Sequence, residues 1–232
     1  MKLFVGTSGY SYKEWKGPFY AKDLPATKML RFYGEHFRTV EINSTFFALP
    51  KASVLEQWAD AVDVDFRFAF KAPKTITHVQ PLNDKGEVLS RLLAVVRTLK
   101  TRLGPLLFQL PPTLTKDVSR LQAFLTLLPL QSLAAFEFRH SSWFDDEVFG
   151  LLRDHGMALC IAESDDPSEA PFVATANWGY LRLRGLDYDD TALTEWLQRI
   201  RDQGWSEVFV FFKHEDKGNG PRLAKRMMEL AR

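Results

Sequence analysis

The sequence alternates along its whole length between short apolar segments and longer amphipathic segments, and this alternation limits the possible folds more than any other feature. Each short segment is rich in β-branched, leucine or aromatic residues and is bounded by turn residues, as β-strands are. The eight predicted strands are residues 2–7, 39–43, 66–71, 105–110, 134–139, 157–162, 179–184 and 207–213.

Longer segments with helical periodicity lie between most of these strands. The seven predicted helices are residues 25–37, 53–62, 87–102, 117–128, 145–155, 191–203 and 221–231. The connection 164–178 contains Pro167 and Pro171 and no helical pattern, so we expect one irregular link after the sixth strand. Strands that alternate with helices indicate a parallel α/β fold, and eight near-equal repeats favour a (β/α)8 TIM barrel over an open doubly wound sheet. The dinucleotide and nucleoside-triphosphate fingerprints, G-x-G-x-x-G after the first strand and G-x-x-x-x-G-K-[ST], are both absent from the sequence.

The composition is typical of one globular domain that spans residues 1–232, with 46 % apolar and 25 % charged residues. The single cysteine, Cys160, cannot form an internal disulfide, which fits a reducing compartment. The N-terminus is polar and no apolar run approaches ~20 residues, so we expect a cytoplasmic protein that does not enter membranes. The formal net charge of +1 favours no nucleic-acid partner, and any functional charge must therefore be local.

Polar residues recur on one face of several predicted strands, close to the end of each strand. Successive side chains on a strand face opposite ways, and the inward face of a barrel tolerates polar residues near its C-terminal mouth. The polar residues on this face are Glu41, Asn43, Arg67, Lys71, Gln109, Glu137, Arg139, Glu163, Arg182, Arg184 and Lys213. Arg67 lies low on its strand, so its alternative position is the opposite rim of the barrel. Three carboxylates then face six cationic side chains, so we predict that the mouth binds a small phosphorylated or carboxylated anion. The alternative is that these charges pair with one another and fill the mouth.

The predicted roles follow from the chemistry of the side chains. Carboxylates and a histidine can transfer protons, whereas guanidinium, ammonium, amide and hydroxyl groups can hold an anion. The predicted catalytic residues are Glu137, Glu41 and His140. The predicted ligand-binding residues are Ser8, Asn43, Lys71, Gln109, Arg139, Trp143, Arg182, Arg184 and Lys213. The glycine-rich turn at residues 6–9 adds backbone N–H groups at the same mouth. Neither a cofactor nor a metal is predicted.

Two other functions are compatible with the same residues. The first is a metal-assisted phosphoester hydrolase of the endonuclease-like barrel type, which would use Glu41, Glu137 and Glu163. The second is a protein without catalytic activity that binds an anion or a nucleic acid. The basic and aromatic stretch at residues 13–22 is compatible with single-stranded nucleic acid, although such a stretch more often packs over the barrel as a loop.

Six sequence motifs, in order along nearly the whole chain, resemble those of the YecE-like family, a domain of unknown function (number 72). They are residues 6–10 (GTSGY), 40–47 (VEINSTFF), 70–73 (FKAP), 107–112 (LFQLPP), 137–143 (EFRHSSW) and 180–185 (YLRLRG). The resemblance implies a TIM barrel and implies no particular reaction. Members of this family tend to carry histidine where this chain has Arg184, and paired asparagines where it has Lys213 and His214. Both departures add positive charge.

Overall fold

Eight parallel strands form one sheet in the order β1-β8-β7-β6-β5-β4-β3-β2, which is the order of a TIM barrel. The structure is a computed structural model and describes residues 1–83, 86–129, 132–163, 170–185, 188–214 and 216–232. The strands are β1 (Lys2–Thr7), β2 (Thr39–Ile42), β3 (Arg67–Lys71), β4 (Leu103–Gln109), β5 (Ala134–Glu137), β6 (Ala158–Ala162), β7 (Trp178–Leu183) and β8 (Glu207–Phe212). The predicted fold is therefore confirmed.

The α-helices of the described residues lie between the strands in the predicted order. They are α1 (Ala26–His36), α2 (Ala52–Ala61), α3 (Glu87–Val96), α4 (Val118–Leu125), α5 (Asp146–Asp154), α6 (Asp190–Arg201) and α7 (Asn219–Leu230). Residues 170–177 contain no helix, as predicted for the link after the sixth strand, while residues 164–169 of that prediction lie outside the described residues. None of the helices in the described ranges is long and apolar enough to cross a membrane.

The region between α3 and β4 differs from its prediction. The α-helix ends at Val96, and a 3-10 segment, Arg97–Arg102, follows in which Lys100 has a positive φ of 54°. The predicted strand begins at Pro105, but β4 already begins at Leu103. The register of β4 against β3 shifts between Phe68 and Phe70, because Pro105 has no N–H to donate and is accommodated at a bulge.

The closure of the barrel between β1 and β2 depends on a side chain. These strands share one bridge, Ser8 with Glu41, instead of a full ladder. The Thr7 N–H donates to the hydroxyl of Tyr33 on α1 (2.9 Å), and that hydroxyl donates to the Thr39 carbonyl (3.0 Å). The Tyr33 hydroxyl thus satisfies two buried backbone groups that a ladder would otherwise pair.

The two faces of the strands carry different residues, as the parity argument predicted. The inward-facing side chains form a separate apolar cluster inside the barrel, with Phe4 packed against it. Its members are Ala69, Leu107, Ala135, Ala158, Cys160, Ala162, Trp178, Tyr180, Phe209 and Phe211. The outward face packs against the helices with larger side chains, among them Phe68, Phe108 and Leu181. A polar residue that lies two positions before or after this apolar cluster on a strand also faces inward, and it lies at one end of the barrel interior.

Candidate functional site

A buried guanidinium group occupies the centre of the C-terminal mouth. Arg182 on β7 donates from Nη2 to Glu41 on β2 (2.9 Å) and from Nη1 to Glu137 on β5 (2.7 Å). All three side chains are at most 1 % exposed. Strands 2, 5 and 7 are not neighbours in the sheet, so this arginine joins the opposite walls of the barrel.

The Glu41 carboxylate accepts hydrogen bonds from three side chains in addition to Arg182. Tyr180 donates its hydroxyl to Oε2 (2.7 Å), and Ser8 donates its hydroxyl to Oε1 (2.7 Å). Asn43 donates from Nδ2 to Oε1 (3.0 Å), beside the Arg182 donor. Burial by itself raises the pKa of the Glu41 carboxyl, but the charge of Arg182 and these hydrogen bonds outweigh burial and lower the pKa below its ordinary value.

Two further arginines converge on Glu137. Arg139 pairs with Oε1, and Nη2 of Arg184 lies 3.6 Å from the same oxygen. Burial alone raises the pKa of the Glu137 carboxyl, yet the charges of Arg182, Arg139 and Arg184 lower it to about 2. Glu137 is therefore ionised at neutral pH, and it acts as the shared counter-charge of three guanidinium groups.

The arginine cluster has more cationic hydrogen-bond donors than the described carboxylates accept. Three guanidinium groups face two carboxylates, and the Nε atoms of Arg139, Arg182 and Arg184 are buried without an acceptor in the described residues. Glu137 Oε1 is the one buried acceptor of these carboxylates that likewise makes no hydrogen bond there, although it is ion-paired. Burial and the neighbouring charge of Arg182 lower the pKa of Arg184, although a guanidinium stays protonated at any physiological pH. Uncompensated buried donors of this kind favour an anion.

Lys71, the last residue of β3, faces the same mouth from another side. Its Nζ lies 4.2 Å from the centroid of the Phe46 ring, and no carboxylate of the described residues lies within ion-pair distance of it. Burial and the charge of Arg182 lower the pKa of Lys71 to about 8. The cation–π contact with Phe46 favours the charged form of Lys71 and so opposes this decrease in its pKa. The contact contributes about 0.5–1 kcal/mol, which is less than the ~1.4 kcal/mol that one pKa unit represents. We call Lys71 together with Glu41, Glu137, Arg139, Arg182 and Arg184 the mouth cluster.

Three other predicted residues lie at the edge of the mouth cluster. The side chain of Gln109, at the end of β4, is partly buried and makes no hydrogen bond to the described residues. The Oδ1 atom of Asn43 is buried and accepts no hydrogen bond from the described residues. Lys213, which follows β8, is exposed, and its charge contributes to lowering the pKa of Lys71.

The glycine-rich turn does not supply free backbone N–H groups, contrary to the prediction. The Ser8 N–H donates to the Phe212 carbonyl (3.0 Å), and the Gly9 N–H donates to the Glu41 carbonyl (2.8 Å). These bonds continue the sheet on both sides of β1. Ser8 thus contributes its hydroxyl to the site, through Glu41, rather than its amide.

His140 and Trp143 follow β5 but do not join the mouth cluster. His140 Nδ1 accepts from the Ser142 N–H (3.2 Å) and lies 2.9 Å from the Ser142 hydroxyl, so the imidazole caps the short 3-10 helix Ser141–Trp143. Trp143 is fully buried, stacks on Phe138 and donates its indole N–H to the Leu114 carbonyl (2.7 Å). Both residues follow the end of β5 at Glu137 and belong to the 3-10 turn, so the two-residue period of the strand does not place their side chains.

Glu163 and Arg67, which the sequence placed among the inward polar residues of the mouth, do not take part in its ion pairs in the described structure. Glu163 follows the inward-facing Ala162 and is out of phase with it, and it accepts the backbone N–H groups of Arg184 (2.7 Å) and Gly185 (3.1 Å). Arg67 begins β3 and lies over the ring of Phe4, 5.9 Å from its centroid, at the opposite end of the barrel. Among the described residues, the carboxylates that pair with the arginines of the mouth therefore number two rather than three.

These positions bear on the alternative functions. Glu41 and Glu137 already enclose the positive charge of Arg182, and no group of three or more histidine, cysteine, aspartate or glutamate residues suited to a metal ion occurs within the described part of the chain. In the basic stretch, Trp15 and Tyr20 are buried and pack against each other, so their rings are not free to stack on bases. This packing agrees with the loop interpretation of residues 13–22.

Tyr180 and Phe46 are site residues that sequence analysis did not assign. Tyr180 precedes Arg182 by two residues and shares its inward parity, which is a signal available in the sequence. The sequence indicated that Phe46 packs or forms a wall of the pocket, but nothing local indicates that its ring lies under Lys71. Cys160 lies 4.0 Å from Glu137 Oε2 and is fully buried in the barrel interior, as expected for a core residue.

Comparison with known proteins supports one family. The family model described as "Protein of unknown function DUF72" matches residues 4–232. UPF0759 protein YecE of Escherichia coli K12 is 33 % identical over an alignment of 259 residues, which covers 98 % of this chain and 92 % of that protein. The crystal structure of a DUF72 family protein from Thermotoga maritima is 26 % identical, has a TM-score of 0.89 and covers 99 % of both chains. The D-psicose 3-epimerase of Clostridium cellulolyticum, 12 % identical with a TM-score of 0.58 over 100 % of this chain and 98 % of its own, shares the fold alone. The chain therefore belongs to the DUF72 family, whose UPF0759 members include YecE.

Proposed function

We propose that the mouth cluster binds a small anionic ligand that carries a phosphate or a carboxylate. The observation that carries the proposal is an excess of positive charge. The three arginines that converge on Glu137 face only two carboxylates, Glu137 and Glu41, and their buried Nε donors have no acceptor among the described residues. A bound anion would satisfy these donors, and guanidinium groups bind phosphate and carboxylate bidentately. The concave end of a barrel, where loops follow the strands, is the usual place for such a site.

The proposal assigns different roles to residues that the sequence grouped together. Arg139 and Arg184 are partly exposed, at 17 % and 24 %, and would contact the ligand. Arg182 is 1 % exposed and, with Glu41 and Glu137, would position the other two arginines. The low pKa of both carboxyls makes them poor proton donors, so a ligand that is chemically transformed would exchange protons with Lys71 rather than with Glu41 or Glu137.

Thermal unfolding in inorganic phosphate, at ionic strength matched with chloride, tests the proposal. We expect phosphate to raise the Tm of the wild type in a saturable way, because a ligand that binds only the folded state stabilises it. Arg139→Met is expected to weaken this binding by about tenfold or more, the loss typical of one charge-assisted contact. Arg67→Met, which removes an inward arginine at the other end of the barrel, is the matched control and should bind phosphate as the wild type does.

Two results would contradict the proposal. One is the absence of stabilisation by phosphate, by sugar phosphates and by small carboxylates at millimolar concentration. The other is an equal loss of phosphate binding in Arg139→Met and Arg67→Met, which would show that the effect comes from general charge rather than from the mouth cluster.

A further inference from the structure

Lys71 differs from every arginine of the mouth cluster in how its charge is compensated. Arg139, Arg182 and Arg184 each pair with a carboxylate, whereas the Lys71 ammonium lies against the Phe46 ring and has no ion-pair partner in the described ranges. The backbone of Lys71 is fixed, because its carbonyl accepts the Thr45 hydroxyl (2.7 Å). The site therefore holds one partly buried primary amine in a defined position beside the arginines.

We propose that Lys71 is a nucleophilic amine that forms a Schiff base with a small aldehyde or ketone bearing a phosphate or carboxylate. This inference rests on the proposed function, because Arg139 and Arg184 would hold the anionic group of the substrate. Lysines in apolar surroundings or next to other cations act as nucleophiles in this way, since both conditions favour the neutral amine. Lys71 meets both conditions, because burial and the charge of Arg182 both lower the pKa of its amine. The Phe46 ring holds Nζ in place and opposes this effect more weakly.

The step needs no redox partner. The lone pair of Nζ attacks the carbonyl carbon, and a C–N bond forms while the carbonyl oxygen takes up the proton that nitrogen releases. The C–O bond of the carbinolamine then breaks, the hydroxyl leaves as water with the second proton of Nζ, and the nitrogen forms the C=N bond of the Schiff base. Addition of water reverses the step. Every atom comes from the substrate, from the Lys71 amine or from water.

The charged groups around Lys71 set the pH at which its amine becomes neutral. Burial and the positive charges of Arg182 and Lys213 favour the neutral amine, while the negative charges of Glu137 and Glu41 oppose it. His78, in the π-helical turn Thr75–Val79 that follows β3, has its own pKa lowered by burial and by the charge of Lys71, so it adds little positive charge at neutral pH. With a Lys71 pKa of about 8, the amine is neutral in a substantial fraction of molecules at pH 7.5 to 8.

Labelling with pyridoxal 5′-phosphate, which is both an aldehyde and a phosphate ester, tests the inference directly. The full-length protein is incubated with the reagent between pH 6.5 and 9, reduced with borohydride, digested and analysed by peptide mass spectrometry. We expect Lys71 to be labelled at least about tenfold faster than the exposed Lys51 and Lys74, with a rate that rises through pH 8. Lys71→Arg should lose this rapid labelling, and Lys74→Arg is the matched control.

Reagents that lack either the aldehyde or the phosphate group separate this inference from the proposed function. Inorganic phosphate should slow the labelling of Lys71, and pyridoxal, which lacks the phosphate, should label it several-fold more slowly. If phosphate stabilises the protein but Lys71 is labelled no faster than Lys51 and Lys74, the Schiff-base inference fails and the anion site stands. If Lys71 reacts rapidly with pyridoxal and pyridoxal 5′-phosphate alike and phosphate gives no protection, the amine is reactive and the anion site fails.

Discussion

Two arginines on the inward face of the barrel, Arg67 and Arg182, lie at opposite ends and are accommodated in different ways. Arg67 begins β3 and donates to the backbone carbonyls of Val64 (3.2 Å) and Phe66 (3.1 Å), with its guanidinium over the Phe4 ring. Arg182 is fully buried and pairs with Glu41 and Glu137. The N-terminal end therefore keeps an arginine partly in water, whereas the C-terminal mouth keeps one away from water.

The difference indicates why the mouth is the better candidate for a functional site. Charges that are excluded from water interact strongly with one another and with any ligand that enters, because solvent screening is weak there. The same exclusion makes an unsatisfied donor costly, and the buried Nε atoms of Arg139 and Arg184 are such donors among the described residues. At the other end, Arg67 has solvent and backbone oxygens available and needs no ligand.

Arg182→Met is expected to have the largest effect on stability. Removing the guanidinium leaves Glu41 and Glu137 buried without their main counter-charge, which typically costs about 3–5 kcal/mol of unfolding free energy at pH 7. Urea denaturation measures this loss. Adding Glu41→Gln and Glu137→Gln to the same variant should restore part of the stability, since neutral amides do not require the arginine. A loss below about 1 kcal/mol would show that the mouth is more hydrated than its burial indicates.

Glu137 is expected to make stability depend on acid pH. Its folded-state pKa of about 2 is below the ordinary value of 4.5, so its stabilisation is full above the ordinary value and is lost as the pH falls towards 2. The total is about 3 kcal/mol at ~1.4 kcal/mol per pKa unit. Urea denaturation between pH 7 and pH 3 should therefore give a difference between wild type and Glu137→Gln that shrinks as the pH falls. Glu229→Gln, on the exposed face of α7, is the control, and a Glu137→Gln difference that stays constant with pH would contradict the prediction.

Arg67→Met is expected to have the smallest effect, less than about 1 kcal/mol in urea denaturation. Its hydrogen bonds go to carbonyls that water can also reach, and the methionine retains much of the packing against Phe4. A loss comparable to that of Arg182→Met would remove the contrast between the two ends of the barrel.

Strand parity was the part of the site that sequence could predict. The two-residue period of a strand is a local property, so the alternation of Arg182 with Leu181 and Leu183 was enough to place the guanidinium inside the barrel. The same rule, applied one residue past the end of β6, misplaced Glu163, because that residue is out of phase with Ala162. Parity alone does not say which end of the barrel a side chain reaches, but the position of Arg67 at the start of β3 indicated the opposite rim, where the side chain lies.

The sequence by itself determined the number and order of the strands, the parallel barrel and the inward face of each strand, because these follow from periodicity and turn signals that act over a few residues. Only the tertiary structure decided the ion pairs, since Arg182 is 45 residues from Glu137 and 141 from Glu41 along the chain. It also decided that the Tyr33 hydroxyl closes the seam between β1 and β2. Barrel closure brings such distant residues together. It also places an aromatic ring, instead of a carboxylate, beside the Lys71 ammonium in the mouth cluster.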